Sequence, residues 1–279
     1  MMRLEMRLDL KNALYQIYAI TVKEIKLKAR FKIQFLLGYI KPLISFFLPY
    51  IILGTLINSA THGSIGIWNP RNFFVFLAIG FIFSYTTRFI RTYAVSFRHE
   101  KFWNTLPALL ISPINRYNLL FGIFFSDFLI IMVPLSLVFI ILMVFFPIGF
   151  ISLIFILILT FLISFFLACI GMVIGALSIS LESTWMFFDY FFTYVMLFSC
   201  LKYPLEVFPE VLHFLILYNP FYYFWDLIRN MWLFGFDFIL FNPAFFTHLL
   251  ALFTCVILGT ITGIPAFNYI YKKYGIVGY

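Results

Sequence analysis

An all-α polytopic membrane protein is the fold class this sequence predicts, on three observations. Hydrophobic residues fill 64% of its 279 positions, against about 45–50% in soluble domains. Charged residues make up 11%, against about 25%. Apolar runs of membrane-crossing length recur, and the 54 residues from Phe128 to Leu181 contain no Asp, Glu, Lys or Arg. A soluble globule must cover itself with groups that water tolerates. A chain with 41 phenylalanines has too few of them.

Residues 1–33 read as an amphipathic interfacial helix on the cytoplasmic side. The segment to Lys32 carries eight basic residues and three acidic ones. Leu14, Ile17, Tyr18, Val22, Ile25 and Ala29 recur at helical steps, while Gln16, Lys23, Glu24 and Lys26 fall largely on the other side. Such a segment lies along a membrane surface; a solvated basic tail is the plainer alternative. It is also too long and mixed to read as a cleavable signal.

Residues 34–279 read as the transmembrane domain. A crossing needs about 20 apolar residues. Gln34–Ile57 supplies the first, with Lys41 near its start and Pro42 and Pro49 set to bend it. Asn72–Ala94 supplies the second, ending in Arg88 and Arg91. The uncharged run is too long for one crossing and breaks at Pro147-Ile148-Gly149, which predicts spans at Tyr117–Phe145 and Phe150–Ser178. Ser183–Leu201 and Ala244–Tyr271 complete six.

Between the last two lies Val211–Trp225, only 15 residues long and interrupted by Asn219-Pro220. That length suits a re-entrant hairpin, over residues 203–237, better than a crossing. Six spans with both termini inside place fifteen basic residues on cytoplasmic segments and only Arg71, Lys202 and Arg229 outside. Basic residues favour the cytoplasmic side. The net charge of +8 is therefore read as topology control beside an anionic leaflet, and nucleic acid is excluded as a partner.

Cys169, Cys200 and Cys255 match no disulfide or metal spacing and read as small hydrophobes. His62, His99, His213 and His248 are isolated. No phosphate-binding G-x-x-x-x-G-K-[ST] loop occurs, so the chain is not expected to bind ATP by that motif. Gly171/Gly175 and Gly259/Gly263 form two G-x-x-x-G pairs, read as close packing within the subunit.

The cytoplasmic loop 97–116 is more specific. A charged entry through Arg98, Glu100 and Lys101 leads into a short amphipathic helix stopped by Pro113. Its apolar ridge suits docking into another protein's groove; on physics alone it serves equally as a connector resting on lipid headgroups. Glu100, Thr105, Leu106, Leu109, Leu110, Ser112, Pro113, Ile114, Arg116 and Gly122 fit the order of a known motif. It is the coupling segment of type-2 ABC exporter permeases, which the loop resembles. Asn104 stands where that motif has Gly, and Pro107 where Glu is common. In the outer hairpin, Tyr203-Pro204, Phe208-Pro209 and Asn219-Pro220 followed by Arg229 resemble the same family's proline pair and Asn-Pro…Arg signature. Cys200 stands where the family often has Gly.

The resemblance implies the membrane subunit of an exporter of drugs, lipids or lipid-linked polysaccharides, in the plasma membrane with both termini cytoplasmic. It implies two ATP-binding-cassette subunits docked on loop 97–116, holding the ATP and Mg, and a second permease copy, identical or related. No cofactor is expected in the chain itself, and no enzymatic activity. The rivals are an ion-coupled transporter or channel, which needs polar groups at mid-membrane, and a membrane enzyme, which needs convergent catalytic side chains. Asp127 is the clearest ionisable group within a span. It is expected to pair with Arg88 or Arg91, or to line a transport path.

Overall fold

The computed structural model describes residues 2–59, 64, 66–105, 108, 109, 112, 114–180 and 184–274. Every regular element among them is helical: α1 (Met2–Arg30), α2 (Lys32–Ser59), α3 (Phe73–Thr86), α4 (Phe89–Phe102), α5 (Arg116–Phe145), α6 (Phe150–Ser180), α7 (Thr184–Leu197), α8 (Glu210–Leu217), α9 (Pro220–Phe234), α10 (Phe236–Phe241) and α11 (Ala244–Tyr274), with a 3₁₀ turn at Leu205–Val207. Four helical stretches are long and apolar enough to cross a membrane: Phe73–Phe102, Arg116–Phe145, Phe150–Ser178 and Ala244–Ile270.

Local chemistry sets most helix ends. Pro147 and Gly149 separate α5 from α6. Asn115 caps α5, its side chain accepting from the Tyr117 amide at 3.0 Å, and Asn219 does the same for α9 through the Phe221 amide at 3.1 Å. Pro220 occupies the first turn of α9, where a missing N–H costs nothing. The fifth expected span is shorter than the sequence predicts. α7 ends at Leu197 after 14 residues, a rise of about 21 Å, because the chain turns over Phe198–Cys200.

α6 is the central post, packed on α4 and on α11. Its glycines permit this. A Cβ on Gly175 would stand 2.6 Å from the Tyr93 Cβ, and one on Gly263 would stand 2.9 Å from the Cys169 carbonyl oxygen. Both G-x-x-x-G pairs therefore pack inside the subunit, as the sequence predicts.

α9 is wedged among α3, α6 and α11, with Phe224, Trp225, Leu227, Ile228 and Met231 fully buried. Phe221 at its start meets Phe166, halfway along α6. Trp232 near its end stacks on Phe139 and donates to the Phe146 carbonyl at the end of α5. α9 thus runs from the middle of the bundle to one end. Its 15 residues rise about 22 Å, less than the roughly 30 Å of a bilayer core.

α1 runs beside α5 in the same direction: Gln16 meets Asn118, Thr21 meets Gly122, and Lys28 meets Asp127. Gly122 allows the approach, since a Cβ there would lie 2.6 Å from the Ile20 Cβ. The side of α1 that faces the bundle mixes apolar Ile20 with polar groups. Leu14 and Tyr18 are exposed, while Thr21 and Glu24 are buried against the bundle.

Candidate functional site

A polar seam joins α1 to α4 and α5. On α4, Thr92, Ser96 and Glu100 recur every four residues and so share one face. Each meets a charged or hydroxyl partner. Thr92 donates to Asp127, Ser96 donates to Glu24 at 3.2 Å, and Glu100 takes the ammonium of Lys23. Lys28 closes the seam, 2.8 Å from Asp127, 3.1 Å from the Ser126 hydroxyl and 3.9 Å from Glu24. Glu24, Glu100, Asp127 and Ser126 are all buried. Two lysines matched by three carboxylates and their hydroxyl donors keep the burial affordable.

The expected partner of Asp127 is therefore corrected. Its ion pair is with Lys28 of α1, and Arg91 pairs instead with Asp189 of α7. The reason is rotational. Thr92 is the α4 residue turned to Asp127, Arg91 lies about 100° away around the helix, and Arg88 lies one turn along the axis. The first turns of α5 are occupied by α1, and the eighteen residues beyond Asp127 rise about 27 Å by themselves. The pair stands at one end of that apolar length.

At the other end of the seam, Glu100 anchors the loop that follows. Thr105 donates its hydroxyl to the Glu100 carboxylate at 2.5 Å and its amide to the Glu100 carbonyl at 2.9 Å. Asn104 takes a left-handed φ of 57° to make that turn. Lys23, Leu27, Glu100, Trp103, Thr105 and Leu109 line an open groove of about 340 Å³. Leu109 is half-buried, and its carbonyl accepts from the Ser112 hydroxyl at 2.6 Å. Arg116 opens α5. Leu106, Leu110, Pro113 and the centre of the expected loop helix lie outside the described residues.

The hairpin residues converge on the end of α7. Asn219 donates its amide to the Val195 carbonyl at 2.7 Å, and Trp225 donates to the Ser199 hydroxyl at 2.9 Å. Arg229 is buried and donates to the carbonyls of Cys200 and Leu201, each at 2.8 Å, with its guanidinium 3.7 Å above the Phe76 ring. A cation at a helix C-terminus satisfies carbonyls that have no helical donor. Cys200 itself has φ 55°. Pro204 precedes the 3₁₀ turn and Pro209 precedes α8. Asp226 accepts from Asn230 at 2.7 Å and faces His248 of α11 at 3.5 Å.

Sequence reasoning missed Lys23, Glu24, Lys28, Thr92, Ser96 and Ser199 as parts of these clusters. A signal existed: Thr92, Ser96 and Glu100 recur every four residues along α4 and so share one face. Among the described residues no group of three or more His, Cys, Asp or Glu side chains is arranged to hold a metal ion.

An all-helical bundle with four helices long and apolar enough to cross a bilayer, and with its charges paired in buried clusters, marks a membrane protein. No family model matches the chain, and no curated protein is significantly similar to it.

Proposed function

We propose that this chain is the membrane subunit of an ATP-driven exporter, with six crossings, a re-entrant hairpin over residues 203–237, and both termini in the cytoplasm of a plasma membrane. α2 and the stretch from α7 through Leu201 add the two further crossings, and α9 returns outward from a turn at Asn219. A second copy of the chain completes a path between the two subunits. Separate ATP-binding subunits carry the nucleotide, the Mg and the hydrolysis.

The observation that carries this reading is backbone geometry at two positions. Among the described residues, Asn104 and Cys200 are the non-glycine residues with left-handed φ. Side chains rarely tolerate that region. Asn104 stands where the resembled coupling motif has glycine and Cys200 where the family often has it, and glycine is the residue that adopts this region most readily.

The groove supplies the coupling. Its wall carries Leu27, Trp103 and Leu109 for an apolar ridge of the ATPase, with Lys23 and Glu100 at the rim. Because Glu100 is tied through Lys23 to α1 and through Thr105 to the loop, a displacement of the loop is transmitted to α1 and, through Lys28, to α5. ATP does work here through its different affinities for two arrangements of these helices. The test is Leu109→Asp, with the chain co-expressed with a P-loop ATPase encoded beside it. The variant is expected to insert normally but to lose the ATPase from the purified complex, because a buried unpaired charge is costly. Normal complex formation and normal transport would overturn the reading.

A further inference from the structure

A second cavity, of about 330 Å³, opens between α2, α3 and α5. Its described lining is Tyr39, Phe81, Tyr85, Val133, Pro134, Leu137 and Val138. Pro134 explains why it is there. A proline inside a helix removes one N–H and crowds the preceding turn, which leaves the Ile130 carbonyl without its usual donor. Tyr39 fills that role, donating its hydroxyl to Ile130 at 3.2 Å. Tyr85 donates its own hydroxyl to the Tyr39 carbonyl. With both hydroxyls bonded to backbone, the wall presented to an occupant is apolar. Val133 and Leu137 are 57% and 58% exposed along its open side, so the cavity faces outward from the bundle.

The base of the cavity is cationic. Phe81, Tyr85 and Arg88 follow at helical spacing on one face, so Arg88 lies about one turn below the aromatic wall. Its guanidinium sits over the backbone of α2, where a Cβ on Gly38 would be 3.8 Å from Nη1. Asp127, the nearby carboxylate, is already matched by Lys28 at 2.8 Å and by Thr92. Among the described residues no carboxylate oxygen lies within ion-pair distance of Arg88. An apolar slot above a cation is the shape and charge of an amphiphile with a negative head.

We propose that this cavity holds one acyl chain of a membrane phospholipid whose anionic headgroup rests on Arg88. Asp127 and Lys28 mark the end of the apolar length of α5, so Arg88 stands at the level where phosphates lie and the slot runs from there into the hydrocarbon. The assignment is independent of the exporter reading and needs no ATPase.

The full chain in phosphatidylcholine nanodiscs, carrying spin-labelled phosphatidylglycerol or spin-labelled phosphatidylcholine as separate probes, tests it. A motionally restricted component of about one phosphatidylglycerol per chain is expected. Leu137→Trp, or Val133→Phe should that variant fail to insert, is expected to abolish it by filling the slot. Arg88→Gln is expected to lower the preference for phosphatidylglycerol over phosphatidylcholine about fivefold, and Arg88→Lys to retain most of it. Three results would each overturn the proposal: no restricted lipid in the unaltered protein, as when a neighbouring copy fills the slot; equal restriction of both lipids; or restriction indifferent to the filling variants.

Discussion

At the α1 end of the bundle, Lys28 and Asp127 neutralise each other from two different helices. In the hairpin, Arg229 is matched instead to two backbone carbonyls and an aromatic ring. The difference is in what each charge needs. A side-chain pair can be deleted as a pair, because removing both charges leaves no ion behind. A guanidinium serving carbonyls has no partner to delete with it, since the carbonyls of Cys200 and Leu201 belong to the chain itself. The first arrangement joins α1 to α5 through two side chains. The second fixes the end of α7 to α9 as one unit.

The sharpest way to break this contrast is at Arg229. Arg229→Met is expected to cost about 3 kcal/mol or more, from two charge-assisted hydrogen bonds lost and two carbonyls left without donors. Arg229→Lys should recover little, because an ammonium does not span two acceptors while lying flat on Phe76. Thermal midpoints in detergent, with protease nicking within residues 203–237, would measure it; a stability loss under about 1 kcal/mol for Arg229→Met would count against the clamp.

At the seam, Lys28→Met and Asp127→Asn are each expected to cost about 3 kcal/mol. The double variant should cost at least about 1 kcal/mol less than the two singles added together. Strict additivity would mean that the two groups are not energetically paired. No analogous rescue exists for Arg229, which is the contrast in measurable form.

The smallest effect is at the turn that Arg229 holds. Cys200 has a left-handed φ, which a β-branched residue tolerates worst. Cys200→Val is expected to lower stability by about 1–2 kcal/mol, whereas Cys200→Gly should change it little, relief of backbone strain offsetting the lost side chain. Equal effects of the two substitutions would show that the turn imposes no backbone demand.

Several features of the candidate site were legible in the residues alone. Asn219 and Pro220 announce a helix start, and Asn219 does cap α9. Glu100 and Thr105, both picked out in loop 97–116, bond to each other. Arg229 was singled out within its signature, but the acceptors were not, because backbone carbonyls carry no sequence identity. α1 was read with its apolar side toward the membrane surface. The structure turns Thr21 and Glu24 inward against the other helices, since buried polar groups find partners there and lipid offers none.

By itself the sequence determined the class and the helices. Apolar content, uninterrupted runs and the breaks at Pro147 and Gly149 act through solvent transfer and local backbone sterics, which need no distant partner. Only the tertiary structure decided which charges meet. Arg88, Arg91 and Lys28 are all basic residues expected near the same end of the bundle. The rotation of α4 and the parallel docking of α1 gave Asp127 to Lys28 and Arg91 to Asp189. A helix turns 100° per residue, so a one-residue difference in setting exchanges one partner for another. That setting is the outcome of packing along the whole interface, with Gly122 admitting Ile20, and is not encoded in any single stretch of chain.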